Sequence, residues 1–177
     1  MLLKALPPHA DESWETGCQA GRAGNPFVMP SEFRLTRIVE FCETDMAGIM
    51  HFSNFFRWME ACEAGFYRSL DLPQISFVPG SVVGWPRVSA SCTYKAPLRF
   101  NDNVEVRLLI KEVRTRAVIF VFQFRQIVGG QVLPPVLAQG EIAAVCVTFD
   151  TAGKMVAQPI PAEVRAKLEV APESAFL

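Results

Sequence analysis

A chain of 177 residues, half of them hydrophobic, is long enough for one domain with a sizeable core. Its formal net charge of −1 gives no electrostatic argument for a nucleic-acid partner or an anionic membrane surface. The sequence contains no run of about 18 apolar residues and no basic segment followed by an apolar stretch, so we expect no membrane-spanning helix, no secretion signal and a cytoplasmic location.

The first segment in chain order, residues 1–30, lacks any hydrophobic period because prolines and glycines interrupt it. This composition predicts a flexible N-terminal arm. An arm that is ordered against a partner subunit is the alternative. We expect the folded domain to comprise residues 31–150, followed by a C-terminal extension over residues 151–177 with one short helix.

A strand and a long helix follow the arm. Aromatic and β-branched residues alternate with polar ones over residues 33–41, which predicts the first strand. A helix then begins at Ser53 or Asn54, either of which can act as its N-cap, and continues to Leu70. Its interior Gly65 predicts a tight approach of another backbone, because glycine costs about 1 kcal/mol relative to alanine in a helix. One face carries an apolar stripe: Phe55, Trp58, Met59, Cys62, Phe66 and Leu70. The other face carries Arg57, Glu60, Ala64, Tyr67 and Asp71.

The remaining chain is strand-like until a short helix, predicted over residues 161–168. Gly129-Gly130 predicts a two-residue hairpin turn. The order β-α-β-β-β-β predicts the α+β class, with an antiparallel sheet of about five strands wrapped around one long helix. The four strands after the helix are predicted over residues 88–94, 104–113, 117–128 and 137–149.

Such a sheet cannot cover the helix from every side, and one sheet face still needs a cover. A second copy of the chain would satisfy that need, so burial alone predicts a homodimer. Whether dimers pair into a homotetramer stays open.

The stretch from Glu43 to Phe55 contains the candidate site. Asp45 stands just before the predicted helix start, where backbone N–H groups have no intrahelical partners and favour negative charge. A carboxylate shielded by Met46, Met50 and Phe52 would be a stronger base. One acid beside a preformed oxyanion site is suited to attack on an acyl group.

Two further side chains are weaker candidates. His51 is one of two histidines, and it could orient water or substrate or have only a structural role. Glu60 lies on the polar helix side and could face the site across a dimer, although a solvated helix face, as for Glu63, is the simpler interpretation.

The five cysteines are scattered and form no C-x-x-C pair. We therefore expect no disulfide framework and no metal site, and each cysteine is explained as a small reduced apolar side chain. A nucleophilic Cys42 activated by His51 is a minor alternative. The cysteines are Cys18, Cys42, Cys62, Cys92 and Cys146.

The segment from Asp45 to Trp58 resembles the signature of hotdog-fold acyl-CoA thioesterases of the 4-hydroxybenzoyl-CoA thioesterase type. The matching positions are Asp45, the Ala-Gly-Ile of residues 47–49, and Asn54. The predicted element order also fits this fold, and the resemblance covers about residues 31–150. It implies hydrolysis of an acyl-CoA thioester to a free acid and coenzyme A.

The resemblance also implies roles for individual residues. The catalytic acid of the family falls on Asp45, as nucleophile or general base, and its polarising backbone N–H falls on Phe52. The histidine of some relatives falls on Phe52, so His51 stands one position early. Candidate substrate-binding residues are Met46, Gly48, Met50 and Phe55, with Arg114, Arg116, Lys95 and Arg99 as candidates for a basic rim around the coenzyme A phosphates. No cofactor beyond the coenzyme A of the substrate is implied.

Two other functions stay open at this point. A hotdog enoyl-thioester hydratase or dehydratase would need a histidine and an acid acting on carbon, and His51 is available for it. A non-catalytic acyl-CoA-binding dimer would keep the pocket but would tolerate loss of Asp45.

Overall fold

The computed structural model describes residues 31–72, 76–78 and 81–176, so the predicted arm over residues 1–30 lies outside the described part. The strands are β1 (Glu32–Ile38), β2 (Ser76–Val78), β3 (Ser81–Val83), β4 (Arg87–Tyr94), β5 (Asn103–Val113), β6 (Ala117–Val128), β7 (Gln131–Val132), β8 (Ala138–Val145), β9 (Val147–Phe149) and β10 (Met155–Ala157). The helices are α1 (Phe52–Ser69), α2 (Ala162–Arg165) and two 3-10 helices, Phe41–Glu43 and Glu173–Phe176. None of these helices is long and apolar enough to cross a membrane.

The main sheet is antiparallel, with the strand order β1-β5-β6-β8-β4. The short strand β7 extends β6 after the Gly129-Gly130 turn, where both glycines adopt the positive φ that this turn needs. Two small hairpins, β2–β3 and β9–β10, complete the strands. One antiparallel sheet with one long helix confirms the predicted α+β class.

The core lies between α1 and one face of the sheet. Phe120, Phe122 and Phe124 of β6 are fully buried, and the ring of Phe124 lies 5.1 Å from that of Phe55 at the start of α1. Phe66, three turns later, lies 6.1 Å from Phe120. Burial of this apolar stripe, which confirms the predicted helix face, stabilises α1 far more than its intrinsic propensity does.

Two residues of α1 disagree with the sequence prediction. Tyr67, expected on the polar face, is buried beside Trp85, with ring centroids 6.0 Å apart. Glu63, expected in solvent, is fully buried and accepts a hydrogen bond from Arg87 Nη2 at 2.7 Å. Burial raises the pKa of Glu63, although Arg87 opposes this effect. The start of β4 and the segment before it cover a second side of the helix, which a single helical stripe cannot predict.

The glycine inside α1 permits close packing, but the group that packs against it is not the backbone that the sequence predicted. A Cβ at Gly65 would lie 2.6 Å from Cε1 of Phe33 on β1. The close neighbour is therefore an aromatic side chain of the sheet and not another backbone.

The last predicted strand is interrupted at Cys146. Its N–H donates to the carbonyl of Arg116 and its carbonyl accepts from the N–H of Gln158, so the chain changes partners between β8 and β9. The terminal helix α2 has four residues and is shorter than predicted. The segment after it packs on the sheet, with the N–H of Ala171 donating to the carbonyl of Ile110 at 2.8 Å. A domain boundary at residue 150 stays a prediction.

Candidate active site

The loop around Asp45 is built by its own backbone. The Asp45 N–H donates to the carbonyl of Ile49 at 2.9 Å, and the Gly48 N–H donates to the carbonyl of Asp45 at 3.0 Å. Gly48 has φ +72°, a conformation that favours glycine. The carboxylate oxygen Oδ1 accepts from the N–H groups of Ala47 at 2.8 Å and Ile49 at 3.4 Å. In the described part of the chain Oδ2 has no hydrogen-bond partner, so it remains available to a substrate or a water molecule.

Glu43 ties this loop to α1. Its Oε1 accepts from Trp58 Nε1 at 2.7 Å and lies 3.8 Å from Arg37 Nη2. Its carbonyl accepts from the N–H of His51 and from Nδ2 of Asn54, each at 2.8 Å. These four polar groups therefore meet at one residue, which fixes the distance between the Asp45 loop and the helix start.

The helix begins one or two residues earlier than the sequence predicted, at Phe52, with His51 as its N-cap. His51 has an extended backbone, and its Nδ1 accepts from the Ser53 N–H at 3.4 Å and lies 2.8 Å from Ser53 Oγ. Histidine can thus satisfy a free N–H of the first turn as serine or asparagine would. Within the described ranges the Phe52 N–H has no acceptor.

A cavity of about 620 Å³ opens beside Asp45 and the first turn of α1, a size typical of small-molecule sites. It is lined by Asp45, Ala47, Ile49, Met50, Phe52, Phe55, Tyr94, Lys95, Ala96, Pro97, Leu98 and Arg99. Its walls are mostly apolar, with one carboxylate, two cationic side chains and one hydroxyl. No group of His, Cys, Asp and Glu side chains suited to a metal ion occurs among the residues described.

The structure brings six of the candidate residues to this cavity: Asp45, Phe52, Met50, Phe55, Lys95 and Arg99. It does not bring Met46, Gly48 or His51 to the cavity wall. Met46 is fully exposed because the turn that places Asp45 directs the next side chain into solvent. Gly48 shapes the turn, and His51 caps the helix.

The remaining candidates lie away from the cavity of the single chain. Glu60 is exposed, and its Oε1 lies 3.9 Å from Arg87 Nη2. Arg114 and Arg116 flank the turn from β5 to β6. Tyr94, at the cavity, and Phe124 of β6 both pair with the same residue of β8, so they lie at the same level of the sheet. Seven residues of β6, about 23 Å, separate that level from the turn. Sequence spacing alone could not show that Arg114 and Arg116 lie at the opposite end of the sheet from the cavity.

Lys95 and Arg99 supply the positive charge that the cavity does have. Both line it, and neither forms an ion pair with any described residue. The N–H of Arg99 donates to Asp102 Oδ2 at 2.7 Å, which fixes the backbone there and leaves the guanidinium free.

Sequence reasoning missed Tyr94, the last residue of β4. Its ring packs edge-on against Phe55 at 4.9 Å, and its hydroxyl donates to the carbonyl of Phe52 at 3.3 Å. Loss of solvent raises the pKa of Tyr94 to about 12. Its position before Lys-Ala-Pro, where the strand ends, was the available signal, but the meeting of this strand end with the helix start is a tertiary event.

Comparison with known proteins places the chain in a family. The profile of the Thioesterase-like superfamily matches residues 39–168. A candidate esterase of Aquifex aeolicus (strain VF5) is 38% identical over 100 residues, covering 56% of this chain and 73% of that protein. The 4-hydroxybenzoyl-CoA thioesterase of Pseudomonas sp. (strain CBS-3) is 27% identical over 93 residues, covering 51% and 66%. A solved gentisyl-coenzyme A thioesterase has a TM-score of 0.63 and 31% identity, covering 77% of this chain and 99% of that chain.

The chain therefore belongs to the thioesterase-like superfamily, and its architecture is the hotdog fold. It is a thioester hydrolase by family. These findings confirm the family, fold and enzyme class predicted from the sequence.

Proposed function

We propose that the protein hydrolyses an acyl-CoA to the free acid and coenzyme A in the cavity beside Asp45. The observation that carries this proposal is that Asp45 and Phe52 line the same cavity, while Oδ2 of Asp45 and the N–H of Phe52 have no hydrogen-bond partner among the described residues. The first is suited to attack or to proton abstraction, and the second to holding the thioester oxygen.

The reaction has two balanced routes. As a general base, Asp45 takes a proton from water, the hydroxide adds to the thioester carbon, the C–S bond breaks and the thiolate takes up the proton from the Asp45 carboxyl group. As a nucleophile, Asp45 adds to the thioester carbon, the C–S bond breaks and the thiolate takes a proton from solvent; water then cleaves the mixed anhydride, which releases the acid and restores the Asp45 carboxylate. In both routes the carbonyl oxygen gains negative charge and is stabilised by the Phe52 N–H. Neither route needs a cofactor.

The cavity walls support an aromatic acyl group as substrate. Phe52, Phe55 and Tyr94 offer ring faces and edges that favour stacking. Relatives of the chain are named for aromatic acyl groups, including 4-hydroxybenzoyl-CoA and, in Prochlorococcus marinus, 1,4-dihydroxy-2-naphthoyl-CoA. Lys95 and Arg99 are placed to attract the phosphates of coenzyme A at the same cavity.

A homodimer belongs to the same proposal. Strand β4 is an edge of the sheet and is exposed along most of its length, including Val88. Met46 and the ring of Phe52 are also exposed beside the cavity. A second copy against this side would cover these groups, and it is the way in which Glu60 or Arg114 and Arg116 could reach a cavity. A cytoplasmic location and pairing into tetramers remain expectations.

The test is release of free thiol from a panel of aromatic and aliphatic acyl-CoAs by the wild type and by Asp45→Asn. We expect the substitution to lower kcat/KM about a thousandfold, which is roughly 4 kcal/mol of transition-state stabilisation. Asp150→Asn is the matched control, because Asp150 makes the same local hydrogen bonds in an exposed loop; its rate should stay within about twofold of the wild type.

Other outcomes would contradict the proposal. If the wild type released no thiol from any acyl-CoA of the panel, the proposed activity would be wrong. If Asp45→Asn kept full activity, the proposed role of the carboxylate would be wrong. Hydration of an enoyl-CoA without thiol release would favour a hydratase, which His51 kept open on sequence. Tight acyl-CoA binding without turnover would favour a non-catalytic binding protein.

A further inference from the structure

The peptide group between Phe52 and Ser53 is held at both of its ends. Its carbonyl accepts from the Tyr94 hydroxyl at 3.3 Å, and its N–H donates to Nδ1 of His51 at 3.4 Å. One holding group comes from the strand β4 and the other from the helix cap. The Phe52 N–H belongs to the peptide immediately before it. Because planar peptides share a Cα, fixing one of them restricts the direction of its neighbour.

Tyr94 is suited to hold this turn. It ends β4, which pairs with β8 as far as Tyr94 itself, so its backbone is part of the sheet. Its ring is braced edge-on by Phe55, one turn into α1. A tyrosine hydroxyl keeps its proton at neutral pH, so Tyr94 can donate there, and loss of solvent raises its pKa further.

We propose that Tyr94 is a positioning residue for thioester hydrolysis: its hydroxyl fixes the first turn of α1 so that the Phe52 N–H points at the thioester oxygen. The inference rests on the proposed function, because it concerns the residue that sets the direction of the Phe52 N–H. Tyr94 acts through the turn and is not itself a catalytic residue.

The decisive variant is Tyr94→Phe, which keeps the ring contact with Phe55 and removes the hydroxyl. We expect kcat to fall about five- to tenfold while KM stays within about twofold, because the ground-state contacts of the substrate are retained. Tyr67→Phe is the matched control. The Tyr67 hydroxyl is buried on the same helix and has no hydrogen-bond partner within the described ranges, so its removal should leave both constants unchanged.

Amide hydrogen exchange measures the rigidity of the first turn of α1 independently of enzyme activity. In Tyr94→Phe the amides of residues 53–56 should exchange faster, while those of residues 62–69 keep the wild-type rate and serve as the internal reference. Unchanged exchange at the first turn would overturn the proposal, as would an unchanged kcat or a rise in KM that accounts for the whole loss.

Failure of the proposed function is distinguishable from failure of this inference. If the wild type releases no thiol from any acyl-CoA, the hydrolase activity fails and the role of Tyr94 in it is overturned, whatever the exchange shows. If the wild type is active and Asp45→Asn is not, the proposed function stands, and the kcat of Tyr94→Phe together with the exchange at residues 53–56 decides the role of Tyr94.

Discussion

Two loops of this protein share a sequence pattern and a backbone conformation. Residues 45–48 and 150–153 both read Asp-x-Ala-Gly. In each loop the aspartate N–H donates at 2.9 Å to the carbonyl four residues on, and its Oδ1 accepts from the amides two and four residues on. The glycines have φ +72° and +76°. The same Asp-x-Ala-Gly pattern thus produces the same turn twice.

The surroundings of the two loops differ. The first leads into the His51 cap and α1, is tied to the helix through Glu43, and borders the cavity. The second joins the short strands β9 and β10, and residues 150–157 are exposed. Asp-x-Ala-Gly therefore specifies a turn that presents a carboxylate. The helix start and the cavity supply the conditions for chemistry.

The aromatic residues beside the two loops should differ strongly in how much they stabilise the fold. Trp58→Ala should lower the free energy of unfolding by about 3–5 kcal/mol, because Trp58 is fully buried and donates to Glu43. Phe149→Ala, next to the second loop, should cost less than about 1 kcal/mol, since that ring is half-exposed. Urea unfolding measures both. Equal costs would show that the second loop is as deeply anchored as the first.

A smaller and matched effect is expected at the two glycines. Gly48→Ala and Gly153→Ala should each cost about 1–2 kcal/mol, from the positive φ alone, since a Cβ would meet no atom within 4 Å at either position. Only Gly48→Ala should also lower kcat, by about tenfold or more, because it displaces Asp45. Thermal unfolding and thiol release on the same preparations check this. A comparable loss of kcat in Gly153→Ala would undo the distinction between the loops.

The smallest effect concerns the helix cap that follows the first loop. His51→Ala should cost about 1 kcal/mol, because the Ser53 N–H loses its acceptor. His51→Asn, which can cap as well, should restore the stability and the rate. If Asn fails to restore the rate while the stability returns, the imidazole has a chemical role beyond the cap, as sequence reasoning had left open.

Much of the fold follows from short-range patterns. Alternation predicts the strands, the apolar stripe predicts the buried face of α1, and Gly129-Gly130 predicts its hairpin, because each depends on backbone geometry and neighbouring side chains. The predicted exposure of Glu63 and Tyr67 was wrong because a second layer of chain covers the helix. Nothing in a helical period tells how many sides of a helix will be buried.

The candidate site also combines local features, which the sequence predicts, with contacts between distant segments, which it does not. From the sequence, Asp45 before a helix start with unpaired amides could be predicted, since a turn and the amides of a first turn are local properties. The assignment of the polarising N–H to Phe52 comes from the family resemblance, because local patterns place the helix start at Ser53 or Asn54. The meeting of Tyr94, Lys95 and Arg99 with that helix start could not be predicted, because some forty residues separate them in the chain and only the sheet brings them together.

By itself, then, the sequence determined that Asp45 and Asp150 each sit in the same carboxylate-presenting turn, since hydrogen bonds over four residues decide that conformation. The tertiary structure decided that one of the two faces a cavity and a helix start. Burial and the approach of distant strands set the environment of a carboxylate, and these depend on packing across the whole domain.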